Sequence, residues 1–580
     1  MATTKLNRYY EDELFRLREL AAEFGRANPL LAPMLSTQSG DPDVERLLEG
    51  VAFLTGLVRQ KLDDGFPELV QELTNQLFPH YLRSVPAATL IGFEPHGALR
   101  ERAVVAAGTE IESTPVDGTV CRFRTCNDLD VEPISLSDCQ LVPSADGGPA
   151  LRLDFEMLGI DVGEWHPTRI RLFVGGERMH ASRLFALLMQ HVASVDITCG
   201  PPDSPGMRSA LGRHALRPAG FDDALLPCPD RSFPGFHLLH EYFAFPDKFL
   251  FVELTNLERW HTARSGSQFS VWLALDCSPE WLSGLDHNSF RLNVTAALNL
   301  FPHEAVPIQH EHRATDYRLQ PEGDTRGHYR IFSVDRVVGC RPGHPVARHY
   351  VPFGVAGDNV NAASYRLIRH APLDGHGCDV HLALVYPPGE ALATETLSID
   401  LSCTNGDLPA CLKVGDVCRP TDSSPERFVF SNIVPVTPPL DPPIGESLLW
   451  RTINHLALNF LSLGSTDSLK RIFALYTFAK HSDHARAQAD RRRIDGIESV
   501  DVLAETRIVG ERMLSGQRVT LCCRVDAFGG VGELYLFGCV LERFLSDYAA
   551  INTYTRVEID ASPNGERFSW PPRMGSQCLL

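Results

Sequence analysis

Apolar positions recur every three to four residues at both ends of this chain and every second residue across its middle. Near the start, Tyr10, Leu14, Leu17, Ala21 and Phe24 fall on one stripe of a helix, with Glu11, Asp12, Arg16, Arg18 and Glu23 off it. Asp41-Pro42 supplies an N-cap and a proline at the first helical position, and Val44, Leu47, Leu48, Val51, Thr55, Val58 and Leu62 keep helical spacing beyond it. Pro67 opens a third helix carrying Val70, Leu73 and Leu77, and Pro79 closes it. Helices with one apolar stripe each cannot enclose a large core alone. Residues 1–85 therefore read as a helical segment that needs partners.

Across residues 86–434 the period changes to two. Leu151, Leu153, Phe155 and Met157 alternate with Arg152, Asp154 and Glu156, the signature of a half-buried strand. Phe269–Leu275, Val380–Tyr386 and Leu397–Leu401 alternate in the same way, and clusters such as Gly200-Pro201-Pro202-Asp203 and Pro321-Glu322-Gly323-Asp324 mark turns. This β-rich region is too long for one sandwich and predicts two modules, with one helix at about Ser182–Val195 interrupting the strands. Pro435, Pro438, Pro439, Pro442 and Pro443 then crowd a stiff linker, 435–445. In residues 446–580 the pattern predicts helices (Leu449, Ile453, Leu456, Phe460 and Leu463; Leu469, Ile472, Phe473 and Tyr476), a strand (Val519–Val525), a helix (Leu534–Tyr548) and a strand (Thr553–Ile559). The expected class is α+β and multidomain, with a C-terminal α+β domain separable at the linker and the Leu534–Tyr548 helix in its core.

Composition narrows the function. The chain has 580 residues, 44% of them hydrophobic and 22% charged, which excludes a largely disordered protein. Its formal charge of −19 repels phosphate backbones and argues against nucleic-acid binding as its main task. No apolar run approaches the ~18–20 residues that span a bilayer, and the acidic start lacks the apolar centre of a signal peptide, so a cytoplasmic protein without direct membrane insertion is expected. The 15 cysteines show no C-x-x-C spacing and read as reduced, buried thiols.

Catalytic patterns are missing. Gly-Lys never occurs, so there is no Walker A loop, and no G-x-S-x-G elbow is present. Gly529-Gly530-Val531-Gly532 reads as a loop before the following helix. His310-Glu311-His312 could set two imidazoles on one side of a strand, the basis of an alternative reading as a metal-dependent hydrolase; Cys340, His344 and His349 form a looser set. Neither set matches H-E-x-x-H or a paired-cysteine site. Asp63/Asp64 and Glu68/Glu72 read as solvated helix faces. Arg491-Arg492-Arg493, near Arg486, reads either as a solvated helix face or as a dock for an acidic partner. No catalytic, cofactor or metal residue is assigned.

Several segments resemble one family. They are Tyr9-Tyr10-Glu11-Asp12-Glu13-Leu14 with Phe24 and Pro29; Asp41 through Gly50; Phe66-Pro67-Glu68-Leu69; Leu77-Phe78-Pro79-His80-Tyr81-Leu82; and Leu239-His240-Glu241-Tyr242-Phe243-Ala244-Phe245-Pro246-Asp247-Lys248-Phe249. Leu298-Asn299-Leu300-Phe301-Pro302, Cys403-Thr404-Asn405, Leu456–Leu463, Val540–Leu545, Ile551-Asn552 and Trp570-Pro571-Pro572-Arg573 continue the series. In order and spacing these resemble the TssF (ImpG/VasA) family of type VI secretion baseplate subunits across nearly the whole chain. The resemblance implies a non-enzymatic wedge scaffold, paired with a second TssF copy and TssG around the VgrG spike. It implies attachment of TssE and TssK, with TssK leading to the inner-membrane complex, and no cofactor. Tyr10, Leu14, Leu17 and Phe24 are the expected partner-contact residues.

Overall fold

A computed structural model describes residues 2–27, 42–65, 67–144, 147–202, 206–227, 234–260, 264–343, 347–354, 363–370, 377–387, 393–444, 465–477, 484–509, 512–549, 553–563 and 565–575. The helix expected at Leu449–Leu463 lies outside these residues, as do His344, Pro29, Phe66 and Ile551-Asn552. No helix among the described residues is long and apolar enough to cross a membrane.

The N-terminal segment forms helices α1 (Ala2–Ala27), α2 (Pro42–Gly65) and α3 (Pro67–Leu77), with prolines opening the last two. The β-rich middle contributes to three apolar cores; strand alternation shows that one face is buried but not which sheet it joins. The first core lies under a six-stranded sheet that includes Ala88–Pro95, Val294–Leu298 and Phe428–Asn432. The third belongs to an eight-stranded sheet drawn from residues 301–404. Between them in sequence, a five-stranded sheet centred on Gln268–Leu275 and a four-stranded sheet containing Ile170–Val174 and Phe251–Leu254 contribute to the largest core.

Among the described residues, two α-helices interrupt these strands, not one. Helix α4 spans Arg178–Gln190, ending earlier than expected because Val192–Cys199 is a strand, whose Val192, Val195 and Ile197 suit the pleat. Helix α5 (Pro234–Ala244) is almost wholly buried, its polar stripe of His237, His240 and Glu241 included.

The C-terminal segment contributes α6 (Thr466–Tyr476), α7 (His484–Asp495), a hairpin of Ile497–Val509 with Arg512–Arg524, α8 (Val531–Tyr548) and the strand Thr553–Ser562. Helix α8 packs on α4 and α5, so its core is shared with the middle region. A Cβ at Gly532 would lie 2.4 Å from the backbone of Ser182 and Arg183, which shows how closely α8 and α4 approach. Arg178 donates to both carboxylate oxygens of the buried Glu533, at 2.9 and 2.8 Å. Phe544 and Phe236 bring their rings within 5.9 Å. The proline segment is likewise no free tether: Val436 and Leu440 are buried, and Val85 and Leu440 exchange two backbone hydrogen bonds of 2.8 and 3.0 Å. The linker prolines are interspersed with apolar side chains, Val436 and Leu440, that belong to the core.

Candidate assembly surface

Helices α1 and α2 form an antiparallel pair whose sequence leaves apolar side chains on the outside. Their crossing rests on small residues. Ala52 is fully buried, and a Cβ on Gly56 would stand 3.2 Å from the Tyr10 backbone nitrogen. Arg18 of α1 pairs with Glu45 of α2. Of the expected contact residues, Tyr10, Leu14 and Leu17 are half-buried and Phe24 is exposed. The stripe read from the sequence is therefore partly covered within the chain.

A second surface went unassigned at the sequence level. On α2, Leu47, Val51, Leu54 and Val58 recur at i, i+4, i+7 and i+11 and are 68%, 43%, 63% and 59% exposed. Phe15 and Leu20 of α1 are exposed as well. An apolar seam three turns long on a charged helix pair is the geometry of an unfilled helix bundle. Three of its members stood in the periodic pattern of α2; what the pattern could not show is which face α1 covers.

The other candidates resolve as structural elements. His310 ends the strand Ile308–His310, whereas His312 sits at φ +59°, off the strand. Their rings lie 4.1 Å apart, with His310 Nδ1 2.9 Å from the Tyr317 hydroxyl and His312 Nε2 3.0 Å from the Ala393 carbonyl. Among the described residues the one convergent trio of metal-type donors is His191, Asp276 and Cys277, and His191 Nδ1 is there hydrogen-bonded to Asp276 at 2.7 Å. Cys340 and His349 are exposed. The side chains of Asp63, Asp64 and Glu68 lie outside the described set, and Glu72 is half-buried.

The basic run divides by role. Arg486 donates to the carbonyls of Phe243 and Ala244 at the C-terminus of α5, where a cation is favoured. Arg493 binds the buried Asp490 at 2.9 Å, and Arg491 and Arg492 are exposed. Gly529 and Gly530, at φ +81° and +135°, form the turn into α8, a backbone conformation that disfavours side chains.

Sequence and structure comparisons agree on one family. A family model described as "Type VI secretion system, TssF" matches residues 2–577. Type VI secretion system component TssF1 of Pseudomonas aeruginosa is 29% identical over 637 aligned positions, covering 99% of this chain and all of the relative. A chain of the type VI secretion TssK-TssF-TssG baseplate subcomplex, solved by cryo-electron microscopy, superposes with a TM-score of 0.78 at 29% identity over 92% of this chain and 99% of its own. A chain from another type VI baseplate complex superposes with a TM-score of 0.63 at 27% identity, over 99% of this chain and all of its own. The family match spans both helical ends and the β-rich middle, so the chain belongs to the TssF family and is a structural baseplate component of a type VI secretion system.

Proposed function

We propose that this chain is a non-enzymatic wedge subunit that pairs with a second copy of itself and with TssG through the outer faces of α1 and α2. The observation that carries this is the exposed Leu47, Val51, Leu54 and Val58 seam of α2. The superposed relative comes from a TssK-TssF-TssG subcomplex, which supports TssG and TssK as this chain's partners. TssE and the VgrG spike complete the proposed platform, which sits in the cytoplasm and reaches the inner-membrane complex through TssK. In this reading residues 1–85 are the assembly arm, 86–434 the β-rich body, 435–445 a strap pinned to that body, and 446–580 the region that closes its largest core. The hydrolase alternative has no support in the family match or in the His310/His312 geometry.

Burying a leucine is worth ~1.5–3 kcal/mol, so two leucines on a bundle seam are worth about 3–6 kcal/mol, more than a hundredfold in affinity. Leu47→Asp with Leu54→Asp is expected to remove TssG from a pull-down while leaving the circular dichroism of the free chain unchanged. Leu14→Asp with Leu17→Asp is expected to act in the same direction and also to loosen α1 from α2. Normal recovery of TssG and of the second copy by a folded Leu47/Leu54 variant would refute the proposal.

A further inference from the structure

Helix α4 ends where three side chains of metal-ligating type converge. His191 is its C-cap, and the strand Gln268–Leu275 ends beside it, followed by Asp276 and Cys277. One donor atom from each of His191, Asp276 and Cys277 lies within 4.8 Å of the other two, and no other trio among the described residues comes as close. The chain bends at Asp276, just after a register shift between Ala274 and Leu275, which lets two adjacent side chains turn to one side. The backbone there is fixed. The Asp276 amide donates to the His191 carbonyl at 3.0 Å, and the His191 amide donates to the Leu187 carbonyl at 2.8 Å. Cys277 packs against the largest core, whereas the side chains of His191 and Asp276 are 36% and 58% exposed, so an ion can reach the trio from solvent.

The donor set selects the ion. A thiolate, an imidazole nitrogen and a carboxylate oxygen suit Zn²⁺ or Co²⁺, with water as the fourth ligand, whereas Mg²⁺ and Ca²⁺ take oxygen donors. Ligand bonds of about 2.0–2.3 Å in a tetrahedral site set the donor atoms roughly 3.3–3.8 Å apart. The 2.7 Å contact between His191 Nδ1 and Asp276 Oδ1 is shorter than this, and the exposed carboxylate opens it by rotating. On binding, the Cys277 thiol releases its proton to solvent and the imidazole proton moves to Nε2, which leaves Nδ1 to ligate. The end of α4 adds a second attraction, because the partial negative charge of a helix C-terminus favours a cation.

We propose that His191, Asp276 and Cys277 bind one divalent cation of the zinc class, which ties the C-terminus of α4 to the end of the strand Gln268–Leu275. The site uses none of the residues of the α1 and α2 seam. The test takes the full chain, dialysed against a chelator, with Co²⁺ as the spectroscopic probe and Zn²⁺ as the competitor. Co²⁺ is expected to give a thiolate-to-metal charge-transfer band in the near ultraviolet and the visible bands of a tetrahedral ion, and Zn²⁺ is expected to remove both. Cys277→Ser should lose the charge-transfer band although the exposed thiols Cys340, Cys411 and Cys418 remain. Asp276→Asn should bind Co²⁺ about tenfold more weakly or worse. Because Asp276 is exposed, that variant keeps the test decisive if Cys277→Ser does not fold. A wild-type chain without the charge-transfer band, an equal band in Cys277→Ser, or an unchanged Co²⁺ affinity in Asp276→Asn overturns the proposal.

Discussion

Lys248→Met is expected to destabilise the chain by about 3–5 kcal/mol, the usual cost of removing one partner from a buried ion pair. Lys248 and Glu241 are 3% and 2% exposed and pair with one another. The other carboxylate oxygen of Glu241 accepts from the amides of Leu225 and Leu226 at 2.7 and 3.0 Å. Met fills the volume of the lysine stem but leaves the carboxylate with two amide donors and no cation. Both the denaturation midpoint and the hydrogen-exchange protection of the Leu225–Leu226 amides should fall. Adding Glu241→Gln to Lys248→Met should recover part of the loss, because the double variant buries no net charge and Gln can still accept from both amides. An unchanged midpoint in the single variant would show that the pair is dispensable.

Phe544→Ala is expected to cost about 3–5 kcal/mol, since the ring is fully buried. The cost falls on more than the C-terminal segment. Phe544 faces Phe236 of α5, and farther along α8 the Phe537 ring lies 5.8 Å from Tyr242 of the same helix. Residues 446–580 expressed alone are therefore expected not to fold, as the face of α8 that meets α4 and α5 would be left in water. A soluble fragment with cooperative melting, or a Phe544→Ala chain that melts with the wild type, would contradict the shared core.

The family-like motifs make sense as paired structural joints. Asn299 and Asn405, from two distant motifs, are both fully buried: Asn299 Oδ1 accepts from the Asn405 backbone amide at 2.7 Å, and Asn299 Nδ2 donates to Asn405 Oδ1 at 2.8 Å. Trp570 lies against Gly538, where a Cβ would come within 2.1 Å of the ring, and Arg573 binds Glu542 of α8 at 2.6 Å. The segment Leu239–Phe249 holds the Glu241–Lys248 pair. The fold class and strands such as Pro149–Met157 and Gln268–Leu275 were legible because alternation is local. Helix α5 was not read, and its polar His237, His240 and Glu241 are buried with its apolar residues. The packing of α8 across the linker was not, because it depends on contacts more than 300 residues apart, such as Arg178 with Glu533. Of the assembly surface, the apolar stripe of α1 was readable, but the exposure of α2 depends on which face α1 occupies.

The most direct test of the assembly account is the mass of the complex formed when the wild-type chain is co-expressed with TssG. Light scattering after size exclusion should give one species containing two 64.3-kDa chains and one TssG, and the Leu47→Asp, Leu54→Asp chain should elute without TssG. A wild-type chain that elutes alone at 64.3 kDa, apart from soluble TssG, would contradict the account.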